Sequence, residues 1–291
     1  MGPAFTGRDD EPESAPYAPP PERPPEWPAD SFNRRVALAI GFAAVFFVLA
    51  LWRAGTAAAE SGAVTRFFLV LAALMGLTAL FGYTYWRPQR GAPGVRFVPA
   101  GVAGTTEVRS RRSVFGLLVA MVGCAAALAV GAAVEIFVFS SGFPWVSPVL
   151  ALLGVPCVAF VVEVLLGHIR SGSLLLGPDG VRQRGWTVES YLPWVSVAGV
   201  RADHHGYPES WVLGTPTAAW ARRRTSRIFR LDRMPGEPMI EVDSRRFDID
   251  PVLLHRVLEF YARFPEMRRE LGSPRAVERI LRQDLNDPHQ H

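Results

Sequence analysis

Hydrophobic and polar positions divide the 291-residue chain into three stretches. Apolar residues dominate from Val36 to Leu166, a polar and Pro-rich stretch precedes them, and short alternations follow. A bilayer core of about 30 Å needs about 20 residues of apolar helix. The run VALAIGFAAVFFVLALW, residues 36–52, meets this at the short end, and Ala63 to Trp86, Ser113 to Phe139 and Val146 to Leu166 complete a set of four. The first and second runs are joined by a short connection, as are the third and fourth. The pattern therefore predicts two antiparallel transmembrane hairpins, with a longer loop at 87–112 between them.

After Ser171 the period changes from helical to two. LLLG and GVRQRGW flank Pro178-Asp179-Gly180, which is good turn chemistry between two strands. Further strands are predicted at Trp194 to Ala202, Ser210 to Leu213, Arg227 to Leu231 and Met239 to Val242, with a short one at Phe247 to Ile249. Asp250 is then an N-cap and Pro251 a first helical residue for VLLHRVLEFYARF. Leu254, Val257, Leu258 and Tyr261 recur on one face of that helix. Pro265 should break it and Gly272 end the region. A last amphipathic helix from Ser273-Pro274 would present Val277, Ile280, Leu281 and Leu285 on one side.

The fold class expected is α+β: four transmembrane helices, then a β-barrel or sheet closed by a C-terminal helix. Short strands followed by one amphipathic helix is the order of elements in a pleckstrin-homology-like (PH-like) domain. PDGV, LPWVSV and FDIDPVLLHRVLEFYARFPEMRREL resemble the actinobacterial multi-pass membrane proteins that carry a C-terminal bacterial PH-like domain. The resemblance spans about residues 36–271 and is most distinctive in the run from FDIDPVLL to FYARFPEMRREL. It implies fold and location and brings no activity with it. The expected boundaries are a Pro-rich tail at 1–33, a transmembrane domain at 34–168, a PH-like domain at 169–271 and a final helix and tail at 272–291. RFVPAGV at 96–102 echoes LLLGPDGV, since each is an extended run with a Pro-x-Gly-Val turn behind a helical hairpin. If this is a repeat, loop 87–112 should place strands near the C-terminal sheet.

Charge sets the orientation. All 31 basic residues are arginine, a bias in keeping with a GC-rich genome. Arg34 and Arg35 precede span one, Arg87, Arg90, Arg96, Arg109, Arg111 and Arg112 lie between spans two and three, and Arg170, Arg182 and Arg184 follow span four. The other side has only Arg53 and Arg66. Positive-inside asymmetry puts both termini in the cytoplasm of an inner-membrane protein. Residues 1–33 hold seven acidic residues against Arg8 and Arg23 and no apolar core, so a disordered polyproline-rich tail without a signal peptide is expected. Its PxxP spacings, Pro21 to Pro24 and Pro25 to Pro28, suit either a solvated spacer or a partner's aromatic groove.

Candidate chemistry is sparse. ARRRTSRIFRLDR, residues 221–233, places Arg222, Arg223, Arg224, Arg227 and Arg230 where they would meet anionic lipid or a protein partner. An edge strand protected by charge is the plainer reading of the same residues. Arg182 and Arg184 alternate along a strand in the same way. Phosphoinositide-binding PH domains carry basic residues around an extended first hairpin loop, whereas here that hairpin closes through a short Pro-Asp-Gly turn. Glu135 and Glu163 lie inside predicted spans and are functional candidates by location. Their depths, near opposite membrane faces, argue against a shared proton relay. Asp203-His204-His205 with His255 is a weak metal pattern, because neighbours on a strand point to opposite faces. Cys124 and Cys157 sit in apolar runs and predict neither disulfide nor metal.

No nucleotide-binding, hydrolase or metalloprotease motif is present, and no cofactor or nucleic-acid partner is expected. The preferred reading is a non-enzymatic interaction or scaffolding module held at the inner leaflet. Its partners would be membrane lipids and a protein met through the PH-like domain or the tail. A small transporter or channel, with a homo-oligomer completing the pore, is the alternative.

Overall fold

A computed structural model describes residues 23–28, 34–59, 61–87, 93–99, 104–139 and 145–288. Four helices, α1 (Arg34–Ala57), α2 (Gly62–Trp86), α3 (Arg112–Phe139) and α4 (Val146–Leu165), are each long and apolar enough to cross a membrane. Twenty residues at about 1.5 Å rise reach about 30 Å, so even α4 is long enough. Few of their side chains are buried within the bundle, and Phe42, Trp52, Phe137 and Leu152 project outwards. Apolar faces of this extent suit hydrocarbon and would be a liability in water.

Small residues let the helices approach closely. In the second hairpin a Cβ on Gly154 would stand 3.2 Å from Val130 and 3.3 Å from Ala129. Ser147 Oγ also donates to the Ala133 carbonyl at 2.7 Å. Without a hydrophobic drive between helices in lipid, such contact and hydrogen bonding must supply the association. Gly154→Leu is therefore expected to lower stability by about 1–3 kcal/mol through overpacking, seen as a lower midpoint for thermal unfolding in detergent; an unchanged midpoint would refute the close packing.

The β region is antiparallel throughout. Strands β1 (Val95–Val98), β2 (Thr105–Arg109), β3 (Ser173–Leu176), β4 (Gly180–Arg184), β5 (Val188–Pro193) and β8 (Ala221–Arg224) form a six-stranded sheet in the order β1-β2-β3-β4-β5-β8. A second sheet has the order β6-β7-β9, from β6 (Val197–His204), β7 (Pro208–Gly214) and β9 (Met239–Asp243). Helix α5 (Pro251–Arg263) packs on β6 and β7, and α6 (Pro274–Arg282) covers β1. Val108, Leu174, Leu176, Val181 and Leu192 of the first sheet meet Val212, Ile240 and Val242 of the second, with Leu254, Val257, Leu258 and Tyr261 closing the core.

The loop between α2 and α3 is thus part of the sheet. Thr106 pairs with Leu176 and Val108 with Leu174, so β2 lies directly beside β3. The two hairpins that echo each other in sequence are neighbours in one sheet; the turn of the first, at 100–103, lies outside the described residues.

Two predicted strands differ. Arg227 to Leu231 is a loop and the strand is Ala221–Arg224, because the partners of Phe229 and Leu231 are on the helix bundle and not on a sheet. Phe247 forms a single bridge with Ser110. On α6 the inward face is Ala276 and Ile280, with Leu285 just beyond, while Leu281 faces out. A left-handed Gln283 (φ 57°) ends the helix and turns the chain there.

The motifs that carry the family resemblance hold the fold together. The Trp194 indole donates to the Gly177 carbonyl at 2.7 Å and its amide to the Asp179 carbonyl at 3.0 Å, so LPW locks the PDG turn. Asp250 caps α5 through the Val252 and Leu253 amides, at 2.9 and 3.2 Å. Pro265 stops α5, and Arg268 donates to the freed Tyr261 and Ala262 carbonyls at 2.7 Å each. Glu270 then accepts from the Tyr261 hydroxyl at 2.9 Å and from Arg279 of α6 at 2.7 Å. Burial and Glu270 together push the Tyr261 hydroxyl well above its ordinary pKa.

The Pro-rich tail departs from expectation at 23–28. Trp27 is only 3% exposed, its indole donates to the Asp203 carbonyl at 2.9 Å, and its ring meets His255 edge-on at 5.5 Å. One aromatic residue buries enough surface to hold a segment whose composition alone reads as solvated; the rest of the tail lies outside the described residues. His255 in turn hydrogen-bonds Ser210 Oγ at 3.1 Å. Burial lowers its pKa from 6.5, with Glu259 and Glu26 partly opposing. A lowered folded pKa means the unfolded chain takes the proton first as pH falls, so stability is full above the unfolded value and declines below it. Unfolding midpoints should therefore fall as pH drops from 7 to 5, and less so in His255→Phe; equal pH dependence in both would exclude this histidine as the cause.

Candidate functional site

The helix bundle and the sheets meet at a compact junction. Val114, Phe160, Ile169 and Trp186 form a second buried cluster, joined by Phe81, Tyr85, Phe115, Phe229 and Leu231. Phe229 meets Phe160 edge-on at 5.4 Å, which plugs the arginine-rich loop into the base of α4. Arg245 lies over Tyr85 at 4.3 Å and over Tyr207 at 3.2 Å, and the Tyr85 hydroxyl donates to Asp243 at 3.0 Å.

Asp232 is the polar centre of this junction. It accepts from the Thr187 amide at 2.5 Å and the Val188 amide at 3.2 Å, and it pairs with Arg246. Arg246 also reaches Asp243 at 3.4 Å and covers the Trp186 ring at 4.4 Å. Burial opposes the Arg246 charge, yet Asp232, ahead of Tyr85 and Asp243, holds its proton more firmly than usual. A cavity of about 160 Å³ adjoins these groups and is bordered by Tyr207, Glu209 and Glu241. Burial, then Glu209, raises the Glu241 pKa.

An open cleft of about 410 Å³ lies on the outer side of the same junction. Leu166, Gly167, His168, Arg170, Arg184, Arg223, Arg224 and Thr225 line it. Pairing across three strands creates its floor: Arg184 sits opposite Glu189, and Glu189 opposite Arg223. Glu189 takes Arg184 on one oxygen at 3.0 Å and Arg223 on the other at 2.9 Å. The α4 terminus supplies the facing wall, and the Thr225 hydroxyl ties the two by donating to the His168 carbonyl at 2.6 Å. His168 Nδ1 lies 3.1 Å from Glu163, and the Glu163 carbonyl receives the His168 and Ile169 amides at 3.0 and 3.2 Å. Cations at a helix C-terminus face the negative end of its dipole, which favours them there.

Of the arginines singled out from sequence, the cleft gathers Arg184, Arg223 and Arg224. Arg222 turns away, stacking on Trp220 at 4.8 Å and donating to the Pro235 carbonyl. Arg182 lies over Tyr191 at 5.6 Å, one row along the same sheet face, and Arg227 and Arg230 are exposed on the plugging loop. Strand β8 is also the sheet's edge, so its three arginines double as edge protection. His168 and Arg170 were not candidates from sequence. Only their adjacency to span four hinted at them, because their partners lie some fifty residues ahead.

Glu135 and Glu163 are far apart, as their depths imply. Glu135 pairs with Arg66 at 3.2 Å at the end of the bundle remote from the sheets, whereas Glu163 is buried at the sheet end. Within the 203–205 cluster the His205 ring reaches Asp203 at 4.0 Å, and His255 bonds Ser210 instead. His205 lies 3.4 Å from Glu209 and stacks on Trp211, while Asp203 accepts from the His204 amide at 2.7 Å. Among the described residues no three His, Cys, Asp or Glu groups come together as metal ligands, and Cys124 and Cys157 are free thiols.

Fold and site define a class: four helices of membrane-span length joined to a two-sheet antiparallel unit that draws strands from two separate parts of the chain. No protein-family model, curated protein or solved structure matches the chain.

Proposed function

We propose that this chain is an integral inner-membrane protein with both termini in the cytoplasm, whose PH-like β unit works as a non-enzymatic interaction and scaffolding module at the inner leaflet. The observation that carries this reading is the shared sheet: β1 and β2 come from the loop between two helices, and β3, β4, β5 and β8 from beyond the fourth. A domain tethered by one linker would tumble. One threaded by the chain at both ends of a helical hairpin is held at a defined height and angle, which suits a platform. The arginines at 87, 96, 109, 111, 112, 170, 182 and 184 gather at this end, and Arg53 and Arg66 stand at the other, which supports a cytoplasmic sheet. The order of two sheets and a closing helix supports the PH-like assignment.

Val195, beside the buried Trp194, is 90% exposed on the β unit and is a natural contact point for a protein partner. Fluorescent-protein and alkaline-phosphatase fusions at the C-terminus test the orientation, with fluorescence and no phosphatase activity expected. Site-specific photocrosslinking in cells tests the platform. A discrete crosslinked protein should appear with the probe at Val195 and not at Leu281. A phosphatase-active fusion, or the same diffuse products at both positions, would overturn the reading.

A further inference from the structure

The geometry points to the cleft at the foot of α4 as a binding site for the phosphate of an anionic phospholipid, an inference that rests on membrane insertion of the four helices. Four guanidinium groups line the cleft, and Glu189, which belongs to its floor, neutralises only one of them. Among the described residues Arg170 and Arg224 have no carboxylate partner, and Arg184 and Arg223 each engage Glu189 in a single ion pair that leaves other N–H groups to donate. Gly167 (φ +73°) turns the chain at the end of α4, and the Arg170 guanidinium lies where its side chain would be. Only a residue without Cβ permits that placement. The planar forks of arginine match phosphate oxygens in pairs, and a cleft of about 410 Å³ holds a headgroup.

The rim of the cleft decides between a lipid and a soluble phosphate. Leu166 lines the cleft and is 61% exposed, and Leu165 beside it is 80% exposed. Val155, Val158, Val162 and these two leucines fall at helical spacing on one face of α4, all exposed. An apolar stripe therefore runs from the phosphate position along the outer surface of α4, where acyl chains would lie. Beyond Thr225 of the cleft, Ile228 is 64% exposed, and the packing of its neighbour Phe229 on Phe160 ties that loop to α4. A free anion would use the arginines and leave this apolar wall unused. A lipid uses both.

The test uses the full chain, purified in mild detergent and titrated with phosphatidylglycerol or with phosphatidylcholine of the same acyl chains, with bound lipid counted by native mass spectrometry. The wild type should retain one phosphatidylglycerol in strong preference to phosphatidylcholine. Arg170→Gln with Arg224→Gln should weaken that preference by roughly thirtyfold, given what each arginine gains beside an anionic headgroup. Arg201→Gln with Arg275→Gln, both exposed on β6 and α6 and outside the cleft, removes equal charge and should leave it unchanged. If the first double variant unfolds, Arg224→Gln alone, on an exposed edge strand, carries the comparison. Equal loss in both double variants would show diffuse charge attraction and overturn the site, as would a wild type without preference. Displacement of the bound phosphatidylglycerol by millimolar inorganic phosphate would identify a soluble-anion site instead. Because the measurement needs neither a protein partner nor a given orientation, its failure leaves the platform reading standing, and the reverse also holds.

Discussion

Asp232→Ala is expected to destabilise the β unit by about 3 kcal/mol, the typical cost of breaking a buried ion pair from one side. The side chain is only 10% exposed and the Arg246 side chain 21%, so removing the carboxylate leaves a guanidinium that water reaches poorly with only its longer contact to Asp243, at 3.4 Å. Two backbone amides, of Thr187 and Val188, lose their acceptor at the same time. The loop that Asp232 ends would come loose, and with it the contact of Phe229 on Phe160. One carboxylate oxygen, Oδ2, accepts both amides, so Asp232→Asn with its oxygen in that place keeps both acceptors and loses the charge, and should fall between wild type and alanine. Thermal unfolding in detergent, followed by tryptophan emission, measures the series. A loss under about 1 kcal/mol for alanine would place this pair among ordinary surface ion pairs.

Gly272→Val should cost about 2–3 kcal/mol, because it joins a strained backbone to a collision. Gly272 has φ +79°, a conformation that a β-branched residue adopts at high cost, and any Cβ there would strike the Gly104 carbonyl. Its amide also donates to Thr106 Oγ1 at 3.0 Å, which pins the link between α5 and α6 to strand β2. Gly272→Asn separates the two causes. Asparagine tolerates the left-handed backbone, yet its Cβ meets the same carbonyl, so most of the loss should persist. Hydrogen exchange at Thr105 to Arg109 should rise in both variants. If asparagine restores wild-type stability, the collision is not the reason for glycine.

Several elements were legible in the sequence because their cause is local. The four spans follow from uninterrupted apolar length, and their observed ends lie within a few residues of those predicted, except at span one, where the helix runs on from Trp52 to Ala57. The α5 cap at Asp250 and its stop at Pro265 likewise rest on neighbouring residues alone. The arginine run was legible as a candidate contact for lipid or a partner, but the cleft that joins two of its members to Arg170 and Arg184 was not. Arg223 and Arg224 reach Arg184 only because β8 returns to β5 across an intervening hairpin, and no periodicity in residues 197–220 announces that return. Arg227 to Leu231 failed as a strand for a related reason. Alternation marks which residues seek apolar partners, and the partners here are on α4.

The Pro-Asp-Gly hairpin shows the same division. Its turn chemistry is written in four residues, while the indole of Trp194 that locks it arrives from the far end of the next strand. Trp27 was invisible as an anchor within a tail of prolines and acids, since its docking depends on His255 and on the Asp203 carbonyl, more than 170 residues away. Hydropathy, turn residues and caps are properties of a short window, and they suffice for four helices, a β region and a closing helix. The shared sheet, the Asp232 junction and the basic cleft arise from pairings between distant segments, whose energies come into being only when the chain has folded and brought them within bonding range.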